Sequence, residues 1–363
     1  MKPIEVVQLR PFKSDGWKSI ERYGRLIARL NDRANEAKKF SIVQWTPPET
    51  LKCLGNFLGR RLFYTIASNR FRGAKVIHVL DAAYSNLLAF LPKQRTIVTC
   101  HDTEIWRSAS FINRRFRLRL LKNLSQCATV VTPSHVVADQ LKVIFKEQGF
   151  ELPPIKVIAN GVDPAFKPTS DLTLRSGFGI SQDWTLLYVA NTHWPRKNFS
   201  FLLDVLGFLK SSHSAFNLIH LGPPLTPNQK SQVTSRSLNQ NWKTFTDLND
   251  EQVVKLYQLS DLVLIPSVYE GFGYPLLESS ACETPFLASK IPTFEELLAG
   301  ENELLEFDAK LWAQKIILFF TNEKFKSQLE QQTKHLQAKY SLASHLKEYE
   351  SLYGSIAKNS DRI

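Results

Sequence analysis

The chain has 363 residues, 43% of them hydrophobic and 22% charged, with a formal net charge of +12. Those proportions exclude disordered and fibrous classes, and the length suits two domains at ~150 residues each. No apolar run reaches the ~18 residues of a membrane span, and residues 1–20 lack the apolar centre of a secretion signal, so a soluble, cytoplasmic protein is expected.

Short β-branched runs alternate with longer periodic segments throughout. The first half reads as strands at Ile4–Leu9, Ser41–Gln44, Val76–Leu80, Thr96–Cys100, Thr129–Thr132 and Ile155–Ile158, with helices at Ile20–Asn31 and Ser134–Phe145. The second half reads as strands at Thr185–Val189, Phe216–Leu221, Leu262–Pro266 and Phe286–Ala288. Helices are expected there at Phe199–Lys210, Asp250–Leu259 and Asp308–Thr321, and beyond Asn322 the pattern stays helical. Strands separated by helix-length segments predict an α/β protein with parallel sheets covered on both faces. No G-x-G-x-x-G follows the first strand, so an ordinary dinucleotide-binding unit is unsupported.

Turn-forming residues from Pro153-Pro154 through Asn160-Gly161-Val162-Asp163-Pro164 to Pro168 mark the join. The expected domains are 1–160 and 161–340, with a tail at about 341–363 packing back on the first. Two doubly wound domains would enclose a cleft, with ligands outside the carboxyl ends of the strands.

Charge divides at the same place. Residues 1–160 hold 27 Lys and Arg against 12 Asp and Glu, whereas the remainder holds 19 against 22. A basic half favours polyanionic partners. Its densest stretch, Arg114 to Lys122, puts Phe116, Leu120 and Leu124 on one helical side and Arg115, Arg119 and Lys122 nearly opposite. That helix is expected to cover the core and to rest its basic side on an anionic bilayer. No nucleic-acid-binding motif accompanies it. Cys53, Cys100, Cys127 and Cys282 form no C-x-x-C pair, and Cys100 and Cys127 read as small core residues.

The segment with chemical content runs from Asp261 to Glu278. A buried strand leads into Glu270-Gly271-Phe272-Gly273-Tyr274-Pro275, where Pro275 suits the first position of a helix that carries Glu278. Amides at that helix start suit phosphate or sugar oxygens, glycines let a ligand approach the backbone, and two carboxylates can accept from two sets of hydroxyls. Arg196-Lys197 follows another strand and adds a phosphate-binding candidate. Asp81 and Tyr84 follow the third strand as possible acceptor contacts, His101-Asp102 follows the fourth, and Ser134 suits an N-cap.

Glu270-x7-Glu278 around Gly-Phe-Gly-x-Pro resembles the E-x7-E signature of family 4 retaining glycosyltransferases, whose fold is GT-B, two Rossmann-like domains facing across a cleft. The likeness extends along most of the chain. Residues Leu187 to Asn198 are similar to the donor-phosphate loop, Val157 to Asp163 to the interdomain segment, and Val98 to Asp102 and Val131 to Ser134 to strand ends of the first domain. Thr293-Phe294-Glu295-Glu296 also stands where that family starts a helix.

The resemblance implies that Glu278 holds the nucleotide ribose and Glu270 touches the transferred sugar. It further implies that the amides of Phe272, Gly273, Tyr274 and Leu276 face sugar and diphosphate. Lys197, with Arg196 beside it, would neutralise the leaving diphosphate, and His101 would reach the donor sugar near the reacting carbon. Three departures stand out: Thr192 where an arginine is frequent, a single glycine, Gly16, in the first loop, and Asn191 where glycine is usual. The implied reaction moves a hexose, with a lean to mannose, from a nucleotide-diphosphate sugar to a glycan or lipid-linked acceptor in envelope polysaccharide synthesis. No D-x-D occurs, so no cofactor or metal is expected. The other classes left open are a nucleotide-sugar epimerase of similar build and a carbohydrate- or RNA-binding protein without catalysis.

Overall fold

The computed structural model describes residues 3–360 apart from 33–38, 53–54, 56–57, 108–113, 172, 182 and 300–302. Two compact units emerge, Met1–Gly161 with Leu342–Ile363, and Val162–Ser341.

In unit 1 the strands are β1 (Ile4–Leu9), β2 (Phe40–Trp45), β3 (Val76–Val79), β4 (Thr96–Thr99), β5 (Thr129–Thr132) and β6 (Ile155–Val157). They form one parallel sheet in the order β2-β1-β3-β4-β5-β6. Unit 2 contains β7 (Trp184–Val189), β8 (Phe216–Leu221), β9 (Trp242–Phe245), β10 (Leu262–Ile265), β11 (Phe286–Ser289) and β12 (Leu304–Leu305). Its sheet is also parallel, in the order β12-β11-β10-β7-β8-β9.

Buried β-branched and leucine runs make these strands, and the α/β expectation holds: both sheets are doubly wound, the GT-B class of fold. Val6 faces one core of unit 1 and Val7 the other, as the two-residue period of a strand requires. In unit 2, Leu186 and Tyr188 of β7 and Leu262 and Leu264 of β10 join Leu202, Leu206, Trp312 and Ile316 from the Phe199–Ser212 and Ala309–Thr321 helices. Ten strands coincide with the expected runs to within a residue or two. The two unexpected ones, β9 and β12, are edge strands, and β12 is only two residues long. The other two edge strands, β2 and β6, were expected; β9 has no buried residue and β12 is too short to show a period, so neither carries the apolar pattern by which strands are recognised.

Helix limits follow local chemistry. Ser134 caps the His135–Glu147 helix by accepting from the Val137 amide, and Asp308 caps Ala309–Thr321 through the Leu311 amide. The Arg114–Leu124 helix buries Leu120, Leu121 and Leu124, while Phe116 is half-buried with the Arg61 guanidinium 3.2 Å from its ring centroid. Cys100, Cys127 and Cys282 are buried free thiols, burial pushing the last two up to about 12; Cys53 lies outside the described residues.

The Leu342–Ser360 helix is a core element of unit 1. It places Leu346, Tyr349, Tyr353 and Ile356 against Val6, Tyr23, Ile27 and Val76. A buried polar chain fastens it: Tyr349 hydrogen-bonds Tyr23, Tyr23 bonds Thr99 at 2.8 Å, and His78 bridges Thr99 and Tyr353 at 2.7 and 2.8 Å. Among the described residues no helix is long and apolar enough to cross a membrane.

Candidate active site

In a parallel sheet the strand order reverses once, and the loops leaving the carboxyl ends diverge there, which opens a crevice. In unit 2 the reversal lies between β7 and β10. The loop after β7 carries Arg196 and Lys197, and the loop after β10 carries Ser267 and Glu270. The two meet: the Val268 amide donates to the Arg196 carbonyl at 2.9 Å.

Glu270 is only 6% exposed, yet each of its oxygens is occupied. Oε1 accepts from Lys197 Nζ at 2.5 Å and from Ser267 Oγ at 2.8 Å, and Oε2 accepts from Arg196 Nη1 at 3.1 Å. Burial works to raise its pKa, but the charges of Lys197 and Arg196, with the Lys197 and Ser267 hydrogen bonds, outweigh it and hold the carboxyl below the usual range. Thr293 Oγ1 donates to the Glu270 carbonyl at 2.7 Å, and Ser289 Oγ donates to the Ser267 carbonyl, so β11 and the helix after it also brace the turn. Two cations beside one carboxylate leave a net positive centre, which suits a dianionic ligand.

The cation loop is held from below. Tyr188 OH donates to the Lys197 carbonyl at 2.7 Å, and Asn198 takes a left-handed φ of 56°, a conformation asparagine tolerates. Asn191 accepts from the His193 amide at 3.0 Å, which gives it a turn-forming side-chain role in place of the usual glycine. The Trp194 ring lies 4.7 Å from the Arg196 guanidinium. Thr192 is buried, its carbonyl taking Gln229 Nε2 at 2.8 Å. His220 donates through Nε2 to the Ala190 carbonyl at 3.0 Å, and burial holds its pKa at about 4, so it is the neutral tautomer.

At the Tyr274–Ala281 helix, Gly273 is the N-cap with φ of 125°, and a Cβ there would lie 2.8 Å from the Phe294 ring. Only glycine fits. Tyr274 therefore takes the first helical position and Pro275 the second, one later than expected. Phe272 is buried, edge-on to Tyr340 at 5.7 Å. The Leu276 amide is not turned outward as expected: it donates to the Gly273 carbonyl at 3.0 Å, which closes the first helical turn. Glu278, 5% exposed, accepts from Tyr257 OH at 2.7 Å.

In unit 1 the reversal lies between β1 and β3. Here the loops gather carboxylates. Asp15 accepts from Lys52 at 3.1 Å, from Arg60 and from Tyr84 OH, so the buried Tyr84 braces Asp15 and does not present itself as an acceptor contact. Gly16 follows with φ of 70°. Asp81 accepts from the Ala83 amide at 2.7 Å, and burial, with the nearby charges of Asp102 and Asp15, pushes its pKa up to about 7. Asp102 accepts from the Glu104 amide at 3.0 Å. His101 donates through Nε2 to the Leu80 carbonyl at 3.0 Å, its ring meets Tyr23 edge-on at 4.7 Å, and burial lowers its pKa to about 4. The neutral ring thus carries its lone pair on Nδ1, where a hydroxyl can donate.

Two family descriptions match this chain. "Glycosyltransferase Family 4" covers residues 25–166, and "Glycosyl transferases group 1" covers residues 173–336. The chain belongs to the group 1 glycosyltransferases. The O-antigen chain mannosyltransferase RfbU of Salmonella typhimurium is 26% identical over 60% of this chain and 59% of its own length. O-antigen chain mannosyltransferase B of Escherichia coli is 23% identical over 60% and 59%. Matches of this kind span about three fifths of the curated relatives. Among solved structures, WaaG, described as a glycosyltransferase involved in lipopolysaccharide biosynthesis, has a TM-score of 0.74 at 16% identity, covering 96% of this chain and 99% of that one. Anabaena HepE, solved with UDP and glucose, has a TM-score of 0.73 at 17% identity, covering 97% and 100%.

In this member of the family, sequence reasoning picked out the charged residues and missed the neutral ones that hold them. Ser267, Ser289, Tyr188 and Tyr257 have no motif of their own. The one available signal was Thr293, which stood in a recognised helix start without an assigned part.

Proposed function

We propose that the chain is a retaining hexosyltransferase that moves a sugar, with mannose favoured, from a nucleotide diphosphate to a hydroxyl of a glycan or lipid-linked acceptor. One observation carries this: Lys197 and Arg196 are held on Glu270 at the β7–β10 reversal, a positive centre built where a diphosphate needs one. As a diphosphate enters, its oxygens compete with Glu270 for the two cations, which frees a carboxylate oxygen for a sugar hydroxyl. The charge that develops on the leaving group is thereby neutralised by fixed side chains, without a metal. Glu278, beside the helix start, accepts from the ribose. The leaving phosphate oxygen takes the acceptor's proton on the face it vacates, so the anomeric configuration is kept. The names of the O-antigen relatives support mannose and an envelope polysaccharide, and the basic surplus of unit 1 suits an anionic acceptor surface.

The test is incubation with GDP-mannose, UDP-glucose and ADP-glucose, each with and without acceptor glycan and with or without EDTA, the anomer read by NMR. Acceptor-dependent, chelator-insensitive formation of an α-linked product is expected. Conversion of donor alone would make it an epimerase, and no uptake of any nucleotide by calorimetry would leave a binding protein.

A further inference from the structure

Among the described residues of unit 1, one apolar stripe stands clear of the core. Leu58, Leu62 and Ile66 are 37%, 46% and 53% exposed. They recur every fourth position along a helical segment that is π-helical over Gly59–Phe63 and α-helical over Tyr64–Ser68, so they share its outward side. The inward side is fixed. Tyr64, Thr65 and Ser68 are buried, and a Cβ on Gly59 would lie 2.8 Å from the Leu51 carbonyl, so glycine lets the segment lie against residues 51–52. That inward side also holds the loop after β1, through the Arg60–Asp15 pair and a 2.7 Å bond from Tyr64 OH to the Arg10 carbonyl.

Basic residues outnumber acidic ones around the stripe, and the acids beside it are already paired, Asp15 with Lys52 and Arg60, and Glu49 with Lys52. Residues 50–80 hold six Lys or Arg and no Asp or Glu, and residues 105–138 repeat that count. The two stretches meet where Arg61 covers Phe116. Exposed aliphatic side chains give a nucleic acid nothing to bind, whereas a bilayer with anionic headgroups takes both features at different depths. The Arg114–Leu124 helix has its leucines buried and contributes charge only.

We propose that this face docks on an anionic bilayer, with Leu58, Leu62 and Ile66 entering the acyl boundary and the arginines at headgroup level. The docking rests on the glycosyltransferase reading for its purpose alone: it brings a lipid-linked acceptor to the loop after β1, which the same segment holds.

The experiment is co-sedimentation of the full chain with vesicles of phosphatidylcholine, with and without ~30% phosphatidylglycerol, across a salt series. Binding to the anionic vesicles that weakens at least tenfold as salt rises is expected, and the doubly substituted Leu62→Glu, Ile66→Glu chain should lose at least tenfold at fixed salt. Leu62→Trp should shift its fluorescence to the blue when those vesicles are added. Equal binding to neutral vesicles, no binding, or an unshifted Trp would overturn the proposal, as would retained binding by the double variant or a preference for RNA in a gel shift. Nucleotide uptake by calorimetry on the same variants separates the two readings, since it should stay at the wild-type level whichever way the vesicles behave.

Discussion

The two units share an architecture and differ in what their sheets bring together. Each is a six-stranded parallel sheet whose order reverses once, at β1–β3 in unit 1 and at β7–β10 in unit 2. Unit 1 is the basic half, yet its reversal gathers Asp15, Asp81 and Asp102. The other half carries a slight acidic surplus, yet unit 2's reversal gathers Arg196 and Lys197. Net charge therefore describes the outer surface of each unit, and topology decides which few charges meet at the crevice. The crevices also differ in how charge is handled. Unit 2 pairs its buried carboxylate with two cations and holds it ionised, whereas unit 1 leaves Asp81 near neutrality beside other acids.

The sharpest way to break this comparison is at Lys197. Lys197→Ala removes a cation from the proposed leaving-group site and one of the two cations that compensate buried Glu270. Turnover should fall about 10²–10³-fold, with nucleotide affinity falling less. Rates within tenfold of wild type in steady-state kinetics would show that the pair is structural only.

Acid should act on the units unequally. His78, His101 and His345 are buried and neutral, held by burial at about 3, about 4 and about 4 against an ordinary 6.5. The unfolded chain takes up protons first as pH falls below 6.5, so their stabilisation is present above that value and drains away towards pH 4. Each loss amounts to about 2–3 kcal/mol by the end of that window. Asp81 works in the opposite sense: its raised pKa stabilises the fold as pH falls from 7, which offsets roughly one histidine. Unit 2 has His220 alone in this state among the described residues. Hydrogen exchange resolved by peptide should therefore show unit 1, and its Leu342–Ser360 helix with it, opening first between pH 6 and 4. Simultaneous opening would mean that the Tyr23, Thr99, His78 and Tyr353 chain carries less than its burial implies.

Glycine separates the units at the backbone level. Gly273→Ala forces an alanine to φ of 125° with Phe294 2.8 Å away, and should cost about 2–3 kcal/mol in thermal unfolding. Gly16, with φ of 70° and no described atom within 4 Å of an added Cβ, should accept Gly16→Asn at about 0.5 kcal/mol. Equal costs would place the strain outside the turn that precedes the Tyr274–Ala281 helix.

These contrasts also show what was legible beforehand. Central strands are apolar because both faces are covered, so all eight could be read from composition, and the edge strands β2 and β6 alternate clearly enough to be read with them; β9, with no buried residue, and β12, with only two residues, could not. Glu270 and Lys197 were legible because charge beside glycine and proline after a strand is locally unusual. Their direct pairing was not, since 73 residues separate them and only the β7–β10 adjacency brings them together. The same limit hid Tyr257, whose partner Glu278 lies 21 positions on. Tyr84 was placed after the correct strand and still misread, because its orientation towards Asp15 depends on packing around Phe12 and Tyr64.

Thr192 offers the finest contrast. Its hydroxyl is buried with no hydrogen-bond partner among the described residues, in the loop that carries Lys197, and Thr132 at the end of β5 in unit 1 has a hydroxyl in the same state. A valine at either position keeps the shape and removes an unsatisfied group, so Thr192→Val and Thr132→Val should each change stability by no more than about 0.5–1 kcal/mol, towards greater stability. Their effects on catalysis should part. On the proposed reading the Thr192 hydroxyl, standing where the family often has an arginine, turns from its buried position to the donor phosphates as they bind, so Thr192→Val should raise the donor KM about 3–10-fold, the worth of one hydrogen bond to a charged group. Thr132→Val should leave it unchanged. Matching KM values for the two variants would return Thr192 to a packing role and leave Lys197 and Arg196 as the whole of the proposed phosphate clamp.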